Sequence, residues 1–161
     1  MDRETKQWIV DRAIWVVGLA VALLLAAPAV ARERAVPTSD TWRGECGSCH
    51  VAYPPRFLPA TSWRAIMASL DKHFGVDASV DASAARVIGT FLHDNAGRDP
   101  GAGAREPTLR ITETAWFRHE HEEISPAVWR NPKVNSAANC GACHASAEAG
   151  TFSEHAVHVP R

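Results

Sequence analysis

Two short segments of the chain carry cysteine and histidine in the same pattern. The first reads Cys-Gly-Ser-Cys-His over residues 46–50, and the second reads Cys-Gly-Ala-Cys-His over residues 140–144. Two thiols separated by two residues reach both vinyl groups of one porphyrin, and the histidine that follows lies beneath the ring, next to the iron. The pattern therefore predicts two covalently bound c-type haems. The predicted attachment and axial residues are Cys46, Cys49 and His50 for the first haem and Cys140, Cys143 and His144 for the second.

A CxxC pair also occurs in two other kinds of site, the redox-active dithiol of thioredoxin-like proteins and one half of a zinc site. Here a histidine directly follows each pair, and the two motifs use all four cysteines of the chain. A zinc ribbon brings its two pairs closer together in sequence, and a thioredoxin site needs a strand-rich context that this sequence lacks. Both alternatives are therefore disfavoured.

The N-terminal residues predict export. Lys6 and Arg12 precede an apolar run over residues 13–31, which closes on Ala-Val-Ala. This order of charge, apolar run and small residues is typical of a secretory signal peptide. The run is also nearly long enough to span a bilayer, and three acidic residues precede it, so an uncleaved membrane anchor is the alternative. In both cases the rest of the chain is expected in the periplasm.

Composition favours a helical protein. The chain has 161 residues and a formal charge of −1, and it has no basic segment that would indicate a nucleic-acid partner. Aromatic residues are few, alanine is abundant and no alternating apolar runs occur, so we expect an all-α fold with much irregular loop. Each motif lies in a half of roughly 65 residues, which is too small to bury a large hydrophobic core by itself. A haem in each half would add the missing apolar surface to that core.

The expected organisation has four parts. They are a signal peptide at 1–31, a first haem domain at 32–96, a Gly- and Pro-rich linker at 97–107 and a second haem domain at 108–161, a small segment organised by its haem.

Apolar spacing predicts the helices. A helix that starts near Asp40 delivers the first motif, a second runs from an N-cap at Ser62 to Phe74, and a third covers residues 83–95. His93 lies off the apolar face of the third helix and is expected in solvent. Prolines over residues 53–60 predict a loop, which either offers a backbone carbonyl to the Nδ1 hydrogen of His50 or forms a plain surface turn.

The sixth ligand of each iron decides its chemistry. An iron with a sixth protein ligand is closed and transfers electrons, whereas an iron without one is open and can bind oxygen, peroxide or another small molecule. For the first haem the candidates are His73, at the edge of an apolar stripe, and Met67, inside that stripe, where methionine commonly fills core space. We favour His73. For the second haem the leading candidate is His121, which shares a helical face with Phe117 and Ile124.

Three other histidines are weaker candidates for the second haem. His119 lies on the opposite side of the predicted helix, and His155 and His158 belong to the C-terminal tail. If His73 and His121 are the ligands, both haems are bis-histidine haems, which have lower reduction potentials than His/Met haems.

The chain resembles the dihaem cytochrome c family, often called DHC. The resemblance lies in the segment CGSCHVAYPPRFLPATSWRAIMASLDKHFG and, in the second half, in TAWFRHEHEEI, NCGACHASAEAGTF and VHVPR. It implies two bis-histidine haems, a first half similar to class I cytochrome c, and a periplasmic electron carrier. The motif positions place the distal ligands at His73 and His121. The resemblance also implies a membrane b-type cytochrome as donor and a small oxygen-binding monohaem cytochrome c as acceptor.

The sequence therefore predicts a monomeric electron-transfer protein that works with other redox proteins and is not an enzyme. The alternative is a dihaem peroxidase, with Glu120, Glu122 or Glu123 as its acid–base group. A run of acidic residues is more often a solvated face or a docking patch, and the chain is short for such an enzyme. A haem-based gas sensor would need a signalling domain, which the sequence lacks.

Overall fold

A computed structural model of the chain describes residues 37–98 and 106–161, and all of these residues belong to one compact unit. The predicted signal peptide and residues 99–105 of the predicted linker lie outside the described residues. The α-helices are α1 (Asp40–Cys46), α2 (Ala60–Met67), α3 (Ala82–Asp94), α4 (Ala115–Glu120) and α5 (Pro126–Trp129). Short 3₁₀ helices are Pro55–Phe57, Leu70–Lys72, Ile111–Glu113, Cys140–Ala142, Ala147–Ala149 and Glu154–Ala156.

The predicted fold class, all-α with much irregular loop, is confirmed. The described ranges contain isolated β-bridges but no extended strand. Within those ranges, every helix is too short or too polar to cross a membrane. The similarity of the first half to class I cytochrome c stays a prediction.

The main hydrophobic core lies in the first half, where α1, α2 and α3 pack together. Helix α3 contributes three residues at four-residue spacing, Ala84, Ile88 and Leu92, which lie on one face of a helix. Each large apolar side chain buried here stabilises the fold by about 1.5–3 kcal/mol. The buried core residues of this half are Trp42, Leu58, Trp63, Ile66, Ala84, Ile88 and Leu92.

Helix α3 begins one residue earlier than predicted, because Asp81 is its N-cap. The Asp81 carboxylate accepts hydrogen bonds from the backbone N–H groups of Ser83 and Ala84, at 2.7 and 2.9 Å. The prediction for His93 is confirmed: its side chain is exposed and lies beside Asp94.

Helix α2 differs from the prediction at both ends. It begins at Ala60, so Ser62 lies buried within the helix and is not the N-cap. It ends at Met67, well before Phe74, because the Ser69 hydroxyl donates to the Ala65 carbonyl at 3.0 Å and competes with the helical backbone bond. His73 is therefore presented by a turn after the helix.

The start of the predicted linker is fixed to the first half. The backbone N–H of Gly97 donates to the Leu58 carbonyl at 2.8 Å. A Cβ atom at this position would lie 2.3 Å from the Arg56 carbonyl oxygen, so only glycine allows this close approach of the two backbone segments.

Candidate haem sites

Helix α1 and the turn after it position the first CxxCH motif. Cys46 is the last residue of the helix, and Cys49 and His50 follow in the turn. The Nδ1 of His50 lies 2.7 Å from the Val51 carbonyl, so it donates to that oxygen and leaves Nε2 free to bind a metal. The carbonyl therefore comes from the next residue. Of the two alternatives for the proline loop, a carbonyl acceptor for His50 and a plain surface turn, the first is therefore wrong.

The proline loop has a different role. The Pro55 carbonyl accepts a hydrogen bond from Nε1 of Trp63 at 2.7 Å, and both Pro54 and Pro55 are buried. This bond ties the loop to the core through α2. The residues that flank the loop are therefore held in place beside the first motif.

A tight turn brings His73 opposite His50. Phe74 and Gly75 have positive φ angles of 48° and 100°, and the N–H of Val76 donates back to the His73 carbonyl at 3.1 Å. Glycine adopts the left-handed region readily, which explains Gly75 in this turn. The ring centres of His73 and His50 are 6.2 Å apart, and the ring planes differ by 22°. We call these two residues the first imidazole pair.

A largely apolar cavity of about 620 Å³ surrounds the first imidazole pair. This volume falls within the usual range of cofactor pockets, roughly 300–1,000 Å³. Met67 lines the cavity and also packs against the hydrophobic core. Residues of the first half that line it include Cys46, Cys49, His50, Tyr53, Met67 and His73.

The segment that carries His121 forms a shorter helix than predicted. Helix α4 follows its N-cap, Thr114, and ends at Glu120. The helical pattern had predicted a helix that continues to Ile124. The Nδ1 of His121 lies 2.9 Å from the Phe117 carbonyl, which it binds as a side-chain cap at the end of the helix. The two rings also stack, with centres 4.1 Å apart. Phe117 and His121 thus lie on one side of the segment, as predicted.

The second CxxCH motif brings His144 opposite His121. Residues 140–142 form a 3₁₀ turn, and the His144 N–H donates to the Cys140 carbonyl at 2.8 Å. The ring centres of His121 and His144 are 6.2 Å apart, and the ring planes differ by 71°. We call these two residues the second imidazole pair.

The other candidate histidines of the second half are exposed. The His119 side chain is 75% exposed and lies 3.6 Å from the Glu122 carboxylate. His155 and His158 are also exposed. The structure therefore brings together His121 and His144, and it leaves the three weaker candidates in solvent.

Burial disfavours the charged forms of two cysteines and two histidines in these sites. It raises the pKa of the Cys46 thiol to about 11, with a smaller contribution from Glu45, and it also raises the pKa of Cys140. Burial lowers the pKa of His73 and His144, and in each case the opposite imidazole of the pair adds to the effect. Neutral imidazole is the form that binds metals.

The Nδ1 atom of His144 is buried and has no hydrogen-bond partner among the described residues. The C-terminal tail packs beside this histidine, since His144 forms a bridge with Val157 and the His158 N–H donates to the Cys143 carbonyl at 2.9 Å. The proximal histidines of the two motifs therefore differ, because only His50 has a backbone acceptor at Nδ1.

No disulfide bond joins any two of the four cysteines. No cluster of three or more His, Cys, Asp or Glu side chains in residues 37–98 and 106–161 forms a site for a bare metal ion. A zinc site made of cysteines would need about four such ligands. A haem brings four nitrogens of its own to the iron and needs only two axial protein ligands, so the imidazole pairs fit a haem iron.

Tyr53 is the residue that the sequence patterns did not single out. It is the one tyrosine of the chain and lies three residues after His50. Its ring stacks on the His50 ring with centres 4.9 Å apart, and its hydroxyl donates to the Ala138 carbonyl at 2.7 Å. Its proximity to His50 in sequence was the only available signal, because the bond to Ala138 spans 85 residues.

Comparisons with known proteins show the family of the chain. A family model described as dihaem cytochrome c matches residues 42–152. A dihaem cytochrome c from Rhodobacter sphaeroides is 43% identical, with 73% of this chain and 98% of that chain covered and a TM-score of 0.64. A dihaem cytochrome c from Shewanella baltica is 41% identical, with 78% and 95% covered and a TM-score of 0.67. No match was found among curated proteins. The chain therefore belongs to the dihaem cytochrome c family, whose members carry two c-type haems with iron and transfer electrons.

Proposed function

We propose that this protein is a periplasmic electron carrier in which both haems have two histidine ligands and neither is open to a substrate. Cys46 and Cys49 would attach the first haem by thioether bonds, and Cys140 and Cys143 the second. His50 and His73 would hold the first iron, and His144 and His121 the second.

The separation of the two rings in each imidazole pair carries this proposal. A metal–imidazole bond is about 2 Å long and the ring centre lies roughly 1 Å beyond the nitrogen, so imidazoles on opposite sides of one metal have centres about 6 Å apart. Both pairs have a separation of 6.2 Å. Rings in direct contact are closer, as the 4.1 Å between Phe117 and His121 illustrates. The gap in each pair matches one intervening metal atom.

Hydrogen bonds at Nδ1 support the same ligand set. His50 donates to the Val51 carbonyl and His121 donates to the Phe117 carbonyl, so one ligand of each pair has its Nδ1 hydrogen held by backbone. Such a bond fixes the tautomer and directs Nε2 towards the metal. It also makes the imidazole a stronger donor to the iron, which lowers the reduction potential.

A closed iron favours electron transfer over catalysis. Haem iron supplies one-electron chemistry, by alternating between its ferrous and ferric states. Two imidazoles on each iron would leave no coordination position for peroxide or oxygen. The residues that a peroxidase would use, Glu120, Glu122 and Glu123, are exposed. We therefore propose a carrier and not an enzyme.

The location and the partners complete the proposal. A periplasmic site follows from the predicted signal peptide, and the chain acts there as a monomer. We propose that electrons arrive from a membrane b-type cytochrome and leave to a small oxygen-binding monohaem cytochrome c, as the family resemblance implies. The negative formal charge of the chain, −1 before the haem propionates are added, gives no reason to expect a nucleic-acid partner.

Carbon monoxide tests the closed state of both haems. The reduced protein should show the same absorbance spectrum with and without carbon monoxide, and its intact mass should exceed the mass of the polypeptide by two haems. Peroxide should not be consumed by the half-reduced protein. Binding of carbon monoxide to the unmutated protein would contradict the closed ligand sets, and turnover of peroxide at an enzymatic rate would contradict the carrier function.

A further inference from the structure

One side chain of the first half contacts segments that belong to both haem sites. The Tyr53 ring stacks on the His50 ring, with centres 4.9 Å apart and planes 21° apart. Its hydroxyl donates to the Ala138 carbonyl at 2.7 Å. Ala138 lies two residues before Cys140, and Tyr53 and Cys140 line the same cavity. Tyr53 therefore lies between the ligand of one predicted haem and the attachment segment of the other.

The surroundings of Tyr53 hold it firmly in this position. Its side chain packs against the core cluster, and the loop that follows is tied down by the bond from Trp63 to the Pro55 carbonyl. The hydroxyl lies 2.7 Å from its acceptor, the Ala138 carbonyl, and this hydrogen bond completes the contacts that hold the side chain.

We propose that Tyr53 is a positioning residue that sets the plane of the His50 ring and provides the electronic contact between the two haems. The proposal rests on the proposed ligand set. The contact runs from the His50 imidazole to the phenol ring, through the hydrogen bond to Ala138 and along two residues of backbone to the Cys140 sulfur. One electron passes from a ferrous to a ferric iron, and no bond forms or breaks.

Two substitutions separate the parts of this role. Tyr53→Phe keeps the ring that stacks on His50 and removes the hydrogen bond to Ala138. Tyr53→Leu removes both. The control is Trp116→Leu, because Trp116 stacks on Phe57 at 5.0 Å, a second contact between the halves that reaches no predicted iron ligand directly. A purely structural role for Tyr53 would give the same results as this control.

The rate of electron transfer between the haems is the first readout. In a His121→Ala background the second haem, with one imidazole fewer, is spectrally distinct and has the higher reduction potential, so an electron that a photoreductant places on the first haem flows to the second, and absorbance follows this flow. Tyr53→Phe should slow this flow several-fold, and Trp116→Leu should leave it unchanged. An unchanged rate in Tyr53→Phe, or an equal loss in Trp116→Leu, would overturn the proposal.

Electron paramagnetic resonance of the ferric protein, with His121 intact, is the second readout. The signal of a low-spin ferric haem depends on the angle between its two imidazole planes. Tyr53→Leu should shift the signal of the first imidazole pair and leave that of the second, whereas Tyr53→Phe should leave both in place. Unshifted signals in Tyr53→Leu would refute the positioning role. If His121→Ala binds no carbon monoxide, the proposed ligand set itself fails, and the resonance spectra alone decide about Tyr53.

Discussion

Replacement of His121 by alanine should open one of the two haems and leave the other closed. The His121 ring is 6.2 Å from the His144 ring, and the described structure places no other candidate histidine opposite His144. The second iron would therefore lose its sixth ligand and become high-spin. The first imidazole pair does not involve His121, so the reduced variant should bind one carbon monoxide per protein, half of its haem content.

The variant should still fold. Alanine removes the hydrogen bond from His121 to the Phe117 carbonyl, worth about 1 kcal/mol, and a ring stack worth about 0.5–1.5 kcal/mol. Both losses are small beside a typical folding stability of about 5–15 kcal/mol. The change in the spectrum can therefore be assigned to the iron and not to unfolding.

His119→Ala is the matched control, because it removes the same kind of side chain two residues away. The His119 side chain is 75% exposed, and its pairing with Glu122 is a surface contact worth about 0–1 kcal/mol. This variant should keep a fully low-spin spectrum and bind no carbon monoxide.

The assay is a carbon monoxide titration of the reduced variants, followed by absorbance. Added imidazole should restore the low-spin spectrum of His121→Ala, because it fills the coordination position that the side chain has left. If His119→Ala binds the gas and His121→Ala does not, the proposed ligand is wrong although the carrier function survives.

Three further predictions follow from the same sites. His73→Ala should bind one carbon monoxide at the first haem while Met67→Leu should change little, and loss of a far-red methionine–iron band in Met67→Leu would reverse this assignment. The ferric protein should give two distinct low-spin resonance signals, because the imidazole planes differ by 22° in the first pair and by 71° in the second; two identical signals would contradict these angles. Joint replacement of Cys140 and Cys143 by alanine should leave one haem by mass and less helix by circular dichroism, and a variant with two haems would contradict the attachment.

The motifs and the helical period predicted the residues that the structure brings together. The spacing of Phe117 and His121 predicted one common face, and the structure has their rings in contact even though α4 ends at Glu120. The spacing of apolar residues could not predict that α4 ends at Glu120, because the His121 side chain caps the helix there by donating to the Phe117 carbonyl. For a similar reason α2 ends early, where the Ser69 hydroxyl competes for a backbone carbonyl.

Contacts between distant segments could not be predicted from local patterns. The bond from Tyr53 to Ala138 joins residues 85 positions apart, and the stacking of Phe57 on Trp116 joins a loop to a helix of the other half. Neither contact has a periodic signal in the sequence. The carbonyl that holds His50 was also missed, since the proline loop was a plausible acceptor and the adjacent Val51 is the actual one.

The two halves depend on a haem to different degrees. The first half buries seven hydrophobic residues in one cluster, and Leu109 and Ile111 of the second half pack against that same cluster. The buried hydrophobic residues that remain in the described part of the second half are Phe117, Val134 and Ala147. At about 1.5–3 kcal/mol for each large side chain, so few residues do not offset the entropy of ordering some fifty residues. The second half is therefore held by its contacts with the first half and by its haem, and it should lose its structure first when either is removed.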